Sequence, residues 1–575
     1  MKRLLSYGES NFVTIRQEKR YFVDKTKYIE LLETIKHPVF LRPRRFGKTL
    51  FTEILRCYYD FKMADQFDEL FGGLYIGKNP TPKKSSYYFL SFDFSGLSAG
   101  NSLKETEQSF NDGIYNTVDD FFFYYEDELR LSEQQKKDFA EKGSNNAAHA
   151  LRMAVSAVMR VRGKLFVAID EYDNLTNALA LKSRSMGDVE GEYSQVLNKG
   201  GFFRTFFEEL KNNTKKCVDQ VYITGILPIT ISDMNSGFNI ASFITANKDF
   251  ANMLGLTEAE LGGLYDDIAY DYNLPLSKDE CLSLMRRYYN GYRFLADVEE
   301  KVYNPMMSLY FLSHLCRHGE IPNKLTDQNL RTQYDQVSHI FGIGNEKRRD
   351  EIIEILTAKG EIEQFSDIEV VFNMKSIQSG KYAVEGLYYL GLLTWKCVDI
   401  LQIPNLVTYE MILSYFEHVQ EIQPERKELG PGVIAYKRQG NMEAFCDGFF
   451  KGVIQKFPGA FFRDANESFY RGLFFHILYD AMEKTNYDVY SEFQTDNGQI
   501  DFYIRTHPGA KAPCVINDVI EIKRVKSSAS DVEFTAMFNE AKNQAQSRCH
   551  GDLAGCRPIA ICFRGNKDYK IHIPG

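Results

Sequence analysis

The stretch PVFLRPRRFGKT, residues 38–49, decides the fold of the first part of this chain. An apolar, β-prone run leads into a basic loop ending at Gly47-Lys48-Thr49. LFTEILRCYY follows at helical period, with Leu50, Phe51, Ile54, Leu55 and Tyr58 on one face. Strand, loop and helix in that order make a phosphate cradle. Backbone N–H groups and the helix N-terminus point at the anion, the Lys48 ammonium reaches the β- and γ-phosphates, and Thr49 ligates Mg²⁺. The expected nucleotide contacts are Arg45, Phe46, Gly47, Lys48, Thr49 and Leu50. Arg42 stands where the usual GxxxxGK[ST] spacing has its first glycine. Arg42, Arg44 and Arg45 are then either further phosphate contacts or a solvated basic loop.

Two other apolar runs belong with this loop. KLFVAIDEYDN, residues 164–174, ends its β run in Asp170-Glu171. A carboxylate at a strand end beside the loop holds Mg²⁺, which is the role expected of Asp170, and the next one polarises the attacking water, the catalytic role expected of Glu171. VYITGILPI, residues 221–229, brings Thr224 to a strand end as a candidate γ-phosphate sensor. With SYYFLSFDFS upstream, strands alternate with helices, which predicts an α/β domain on a parallel sheet over residues 1–235.

Residues 236–410 are mostly of helical period and read as a lid or connector. Its end, where a helix precedes two short β runs expected to break at Ile403-Pro404-Asn405, is compatible with a winged helix. KELGPGVIAYKRQGN, rich in Gly and charge, marks a linker at 411–440, leaving 441–575 as a last domain.

The runs YFVDKTKYI, FLRPRRFGKT, LFVAIDEYDN, YITGILPI, YYNGYRF, VYNP and LGLLTW, across residues 1 to about 405, resemble the AAA-ATPase-like family. Its members join a P-loop domain to a C-terminal nuclease-superfamily domain, and their loop also reads RPRRFGKS or RPRRFGKT. The resemblance implies ATP binding with Mg²⁺. Arg293 in NGYRF is a candidate lid contact with phosphate or a partner for an acid. P-loop ATPases often complete their site between subunits, so a homo-oligomer is a further expectation.

Near the C-terminus, SEFQTDNGQIDFYIRTHPGAKAPCVINDVIEIKRVK, residues 491–526, reads as strands around the turn HPGAKAP. With the hairpin centred near Lys511, Asp501 and Glu521 stand opposite each other, and Lys523 shares the Glu521 face. Two acids and a lysine suit a metal-dependent phosphodiesterase: the acids bind Mg²⁺ or Mn²⁺, and the cation lowers the pKa of water and offsets phosphate charge. The other reading is a solvated salt-bridge ladder. The order helix, strand, hairpin strand, helix, strand over residues 440–570 resembles the PD-(D/E)XK nuclease superfamily. That resemblance makes Asp501, Glu521 and Lys523 the core motif, with Gln544 and Glu467 in support and Glu492 as a further candidate. Gln499 departs from it, since relatives carry Arg before the acid.

The bulk numbers set limits. At 575 residues the chain exceeds one core. A net charge of -9 gives no global basic field, so nucleic-acid contact, to DNA or RNA, rests on local patches. Ten cysteines without a CxxC pair indicate reduced, buried thiols and a cytoplasmic protein. The spacing of Cys549, His550, Cys556 and Cys562 fits no usual zinc pattern. No secretory leader or membrane span is read. Two function classes follow. One is an ATP-driven, metal-dependent nuclease. The other is an ATP-switched regulatory or assembly protein whose last domain binds nucleic acid or a protein without cutting.

Overall fold

A computed structural model describes residues 2–185, 191–322, 346–364, 367–370, 372–374, 381–419, 426–463, 465–482, 486–495, 498–506 and 512–574. They form two compact units, one from Met1–Glu320 and Gln364–Asp399, the other from Asp350–Glu363 and Ile400–Gly575.

The first unit is built on five parallel strands: β1 (Pro38–Leu41), β2 (Tyr88–Asp93), β3 (Leu165–Asp170), β4 (Val218–Gly225) and β5 (Ser242–Phe243). Their order is β2-β3-β4-β1-β5, so β4 separates the strand leading to the loop from the strand ending in Asp170. Val39 and Ile169 both pair with Ile223, which brings those two strand ends to one edge of the sheet. Every residue of β1 and β3 is buried, as parallel strands covered on both faces require.

Helix α1 (Lys48–Tyr59) follows the loop and buries Phe51, Ile54, Leu55 and Tyr58. Helices α2 (Leu103–Tyr124), α3 (Ala147–Arg160) and α4 (Phe202–Asn213) pack the far side. Much of the aromatic content goes here: Phe110 lies 5.7 Å from Phe94 and 5.4 Å from Phe203, and Phe92 lies 5.4 Å from Phe206, mostly edge to face.

Three helices of the middle segment belong to the same unit: α5 (Glu258–Asp271), α6 (Lys278–Tyr289) and α7 (Pro305–His318). Thr257 with Glu260 and Ser277 with Glu280 close capping boxes on the first two. VYNP is a helix start, with Asn304 accepting from the Met307 N–H at 3.3 Å and Pro305 at the first helical position.

The expected break at Ile403-Pro404-Asn405 is corrected. The short strands Thr394–Cys397 and Ile400–Gln402 both precede it. Asn405 instead caps α8 (Leu406–Val419), its Oδ1 accepting from the Thr408 N–H at 3.0 Å. The linker expected at 411–440 is corrected as well, since α8 is followed by α9 (Arg426–Gln439) and α10 (Met442–Gly452). Of the glycines that suggested a loop, Gly432 permits close helix packing, and Gly448 on the facing helix does the same. A Cβ at Gly432 would lie 2.4 Å from the Ala444 carbonyl oxygen, and one at Gly448 would lie 2.9 Å from that of Glu428.

The second unit continues with α11 (Glu467–Ala481), strands β6 (Tyr487–Thr495), β7 (Gly498–Thr506) and β8 (Asn517–Val525), helix α12 (Asp531–Arg548), then β9 (Arg557–Arg564) and β10 (Asp568–His572). The five strands form one sheet in sequence order, antiparallel except where β8 and β9 run parallel. Residues 507–511 of the HPGAKAP turn lie outside the described residues. All ten cysteines are unpaired thiols. Cys549 and Cys556 pack with Ile500, Tyr503 and Val519 in an apolar cluster. Among the described residues no helix is long and apolar enough to cross a membrane. Because backbone blocks any Cβ at the α9–α10 crossing, Gly432→Ala is expected to destabilise the second unit by about 1–3 kcal/mol, read as a lowered urea midpoint for its transition.

Candidate functional site

The loop after β1 turns on left-handed residues, Arg45 at φ 65° and Gly47 at φ 92°. A Cβ at Gly47 would meet nothing within 4 Å, so glycine serves that position for its backbone angle and not for space. Gly47 is the N-cap of α1 and makes no side-chain cap, leaving the first helical N–H groups to a ligand. Lys48 is buried at 5% exposure and folds back over the loop, its Nζ donating to the Arg42 and Pro43 carbonyls, each at 3.0 Å. Burial holds its pKa below the usual lysine value, partly offset by Asp170 and Glu171. Thr49 is exposed on the first turn, and its side chain lies near enough to Asp170 to favour the ionised carboxylate.

Asp170 ends β3 at 3% exposure, with Oδ1 accepting from the Glu171 N–H at 2.9 Å. Its pKa is raised, first by burial. Glu171 has φ 49°, unusual for a residue with a side chain, and lines the cavity with Lys48 and Arg44. Burial raises its pKa, while Lys48 and Arg44 pull the other way. Asp173 was missed by sequence reasoning. Its buried carboxylate accepts from the Leu227 N–H at 2.8 Å, the Ile226 N–H at 3.2 Å and Asn177 Nδ2 at 2.9 Å, which staples the end of β3 to the loop after β4. Thr224 is fully buried opposite Phe40, its hydroxyl without a hydrogen-bond partner, and is not among the residues lining the cavity.

Two expectations for arginines are corrected. Arg42 is not a phosphate contact. It is 1% exposed, and its guanidinium donates to the carbonyls of Leu41 (3.0 Å), Thr245 (3.2 Å), Phe250 (3.4 Å) and Ala251 (3.4 Å) between the rings of Phe40 and Phe294. Burial pushes its pKa down to about 10, so it stays charged at neutral pH. Among the described residues Arg293 is held by main-chain carbonyls and not by an acid. Its guanidinium donates to the Lys396 carbonyl at 2.8 Å and to those of Val298 and Ala296, which joins NGYRF to LGLLTW. Both motifs press on the loop. Phe46 sits 4.9 Å from Tyr292 and 5.5 Å from Phe294, and a Cβ at Gly391, φ 79°, would lie 2.8 Å from Pro43.

A cavity of about 510 Å³ opens from this loop. Arg44, Arg45, Gly47, Lys48, Thr49 and Glu171 make its polar end. Tyr21, Phe22, Val23, Leu254, Leu264 and Met306 make its apolar end, with Leu50 also in the wall. Lys25 fastens that wall, donating to Glu260 at 2.7 Å and to the Asn252 carbonyl at 3.0 Å.

In the second unit the register runs from Arg505 opposite Asn517 to Phe502 opposite Ile520, which sets Asp501 against Glu521 at the next step. Both are buried, at 6% and 3% exposure. Asp501 Oδ2 accepts from the Ile522 N–H at 2.7 Å, and Oδ1 from Arg471 Nη1 at 2.5 Å. The pKa of Glu521 is raised well above the carboxylate range, by burial and then by the facing charge of Asp501. Its Oε1 finds no hydrogen-bond donor. Lys523 Nζ lies 3.4 Å from Glu467 Oε1, which gathers these four residues. Gln544 does not join them and instead donates to Glu540 on its own helix at 3.2 Å. The residue that α12 turns toward the pair is Arg548, its Nε 3.9 Å from Glu521 Oε1. Arg471 and Arg548 were also missed by sequence reasoning; Arg471, one turn after Glu467, was open to detection by its spacing. The side chains of Glu492 and Gln499 lie outside the described residues. Among the described residues no group of three or more His, Cys, Asp or Glu side chains is placed to hold a metal ion.

A relative from Azotobacter chroococcum mcd 1, the uncharacterized protein in the vnfD 5'region, is 21% identical over 526 residues, covering 88% of this chain and 87% of its own length. Among solved structures, the Aeropyrum pernix ORC1 protein in complex with DNA is 10% identical at a TM-score of 0.29, over 69% of this chain and 93% of that one. Cdc6p from Pyrobaculum aerophilum is 10% identical at a TM-score of 0.23, over 72% and 94%. Residues 6–235, which hold β1 to β4, the loop at Gly47-Lys48-Thr49 and the strand end at Asp170-Glu171, match the family model described as Predicted AAA-ATPase.

Proposed function

We propose that the first unit binds ATP with Mg²⁺ and hydrolyses it, and that its nucleotide state governs a metal-dependent phosphodiester-cleaving site in the second unit, acting on DNA or RNA. One observation carries the nucleotide reading: Lys48 rests on carbonyls of its own loop, and with Thr49 and Glu171 it lines a nucleotide-sized cavity. Phosphate oxygens replace those carbonyls as acceptors for the ammonium. Thr49 and Asp170 are hard oxygen donors suited to Mg²⁺, which supplies charge neutralisation for the transferring phosphoryl group. Glu171, with its raised pKa, is the group to orient and deprotonate water. The apolar end of the cavity receives the base.

At the second site the orphaned Glu521 Oε1 supports a divalent cation held by Asp501 and Glu521. When bound, the cation activates water and steadies phosphate charge. Lys523 then faces the same strand surface as a charge partner for the phosphate. The ten free thiols fit a reducing compartment, so we place the protein in the cytoplasm. A second reading, an ATP-switched regulatory protein whose second unit binds without cutting, is favoured by the Arg471 guanidinium on Asp501.

Lys48→Ala is expected to abolish binding of a fluorescent ATP analogue at concentrations that saturate the native protein; undiminished affinity rejects the nucleotide site. Glu171→Gln is expected to keep that binding while lowering phosphate release by about 10²–10⁴-fold. Cleavage of single- and double-stranded DNA and RNA with Mg²⁺ or Mn²⁺, with and without ATP, is expected to vanish in Asp501→Ala and to change in Lys48→Ala. ATP binding without cleavage of any substrate selects the regulatory reading.

A further inference from the structure

Asp501 already holds a cation, and that cation belongs to the protein. Arg471 Nη1 donates to Asp501 Oδ1 at 2.5 Å, while Nη2 lies 3.9 Å from Glu467 Oε1 one turn earlier on α11. The Ile522 N–H fixes the other Asp501 oxygen at 2.7 Å, so Oδ1 is the oxygen a metal ion has to win. Lys523 is engaged with Glu467 at 3.4 Å and, among the described residues, makes no hydrogen bond to Asp501 or Glu521. Across the pair, Arg548 Nε stands 3.9 Å from Glu521 Oε1, beyond hydrogen-bond range. That oxygen, in a side chain 3% exposed, finds no donor. The site therefore has one carboxylate oxygen occupied by a guanidinium and one left without a partner.

We propose that Arg471 is a positioning residue that occupies the cation's place on Asp501, so that the guanidinium and a divalent cation compete for Oδ1. This rests on reading Asp501 and Glu521 as a cation site. A guanidinium and a divalent cation at contact distance from one carboxylate oxygen repel each other, so loading the site favours Arg471 turning away. The released side chain sits beside the place of chemistry with five donors, the geometry that suits a phosphodiester. A phosphate that draws Arg471 off Asp501 favours the cation, and by linkage the cation favours the phosphate to the same degree. The contact thus keeps the site shut until both arrive.

The test is Mn²⁺ binding to the full chain without nucleotide or nucleic acid, followed by the electron paramagnetic resonance signal of free Mn²⁺. The Mn²⁺ lost on Asp501→Asn counts the ions at this site. Arg471→Gln is expected to bind that Mn²⁺ roughly tenfold or more tightly than the native chain. Arg471→Lys, which restores the charge, is expected to return affinity toward the native value, an outcome that mere loss of packing does not produce. If Arg471→Gln binds Mn²⁺ no better than the native chain while Asp501→Asn abolishes binding, the competition is overturned and the cation site stands. If Asp501→Asn changes nothing in either background, the cation site falls, and the inference with it.

Discussion

A full positive charge sealed inside the first unit organises the phosphate-type loop. Arg42 is removed from water and, among the described residues, is held by four main-chain carbonyls and two ring faces and by no carboxylate. A buried charge is tolerated only where dipoles and polarisable surfaces replace its hydration. The chain around it has to supply them: the end of β1, the turn from Thr245 to Ala251, and Phe294 from the middle segment. The main-chain carbonyl of the same residue accepts from Lys48, so the structural cation and the cavity-lining cation meet at one carbonyl. A glycine here would give a freer turn and leave those carbonyls unfilled.

This division of labour among cations recurs. Arg293 fastens two segments by carbonyls, and Lys25 fastens the cavity wall through Glu260. Arg44, Arg45 and Lys48 face the cavity. Sequence spacing marks a basic run but does not say which side chains turn inward, because that depends on carbonyls contributed some 200 residues away.

The strand–loop–helix, the Asp170-Glu171 strand end and the opposition of Asp501 to Glu521 were legible because each follows from local periodicity: burial on both faces, helical spacing, and the two-residue alternation of a hairpin. Asp173 and Arg548 were not, since their partners lie on other elements. The α9 and α10 pairing was misread for a related reason. Glycine is ambiguous between a turn and a close crossing, and only the neighbouring backbone decides. Gln544 donates to Glu540 on its own helix, and Arg548, one turn further along the same face, is the side chain that stands near Glu521.

Gly391 abuts Pro43, and Tyr292 and Phe294 brace Phe46. The loop is thus shaped from outside. Ordering a backbone residue costs about 1–2 kcal/mol of conformational entropy, and folding has already met that cost for the residues under this brace. On the proposed phosphate-binding reading, loosening the brace, with every phosphate contact intact, weakens binding through entropy alone.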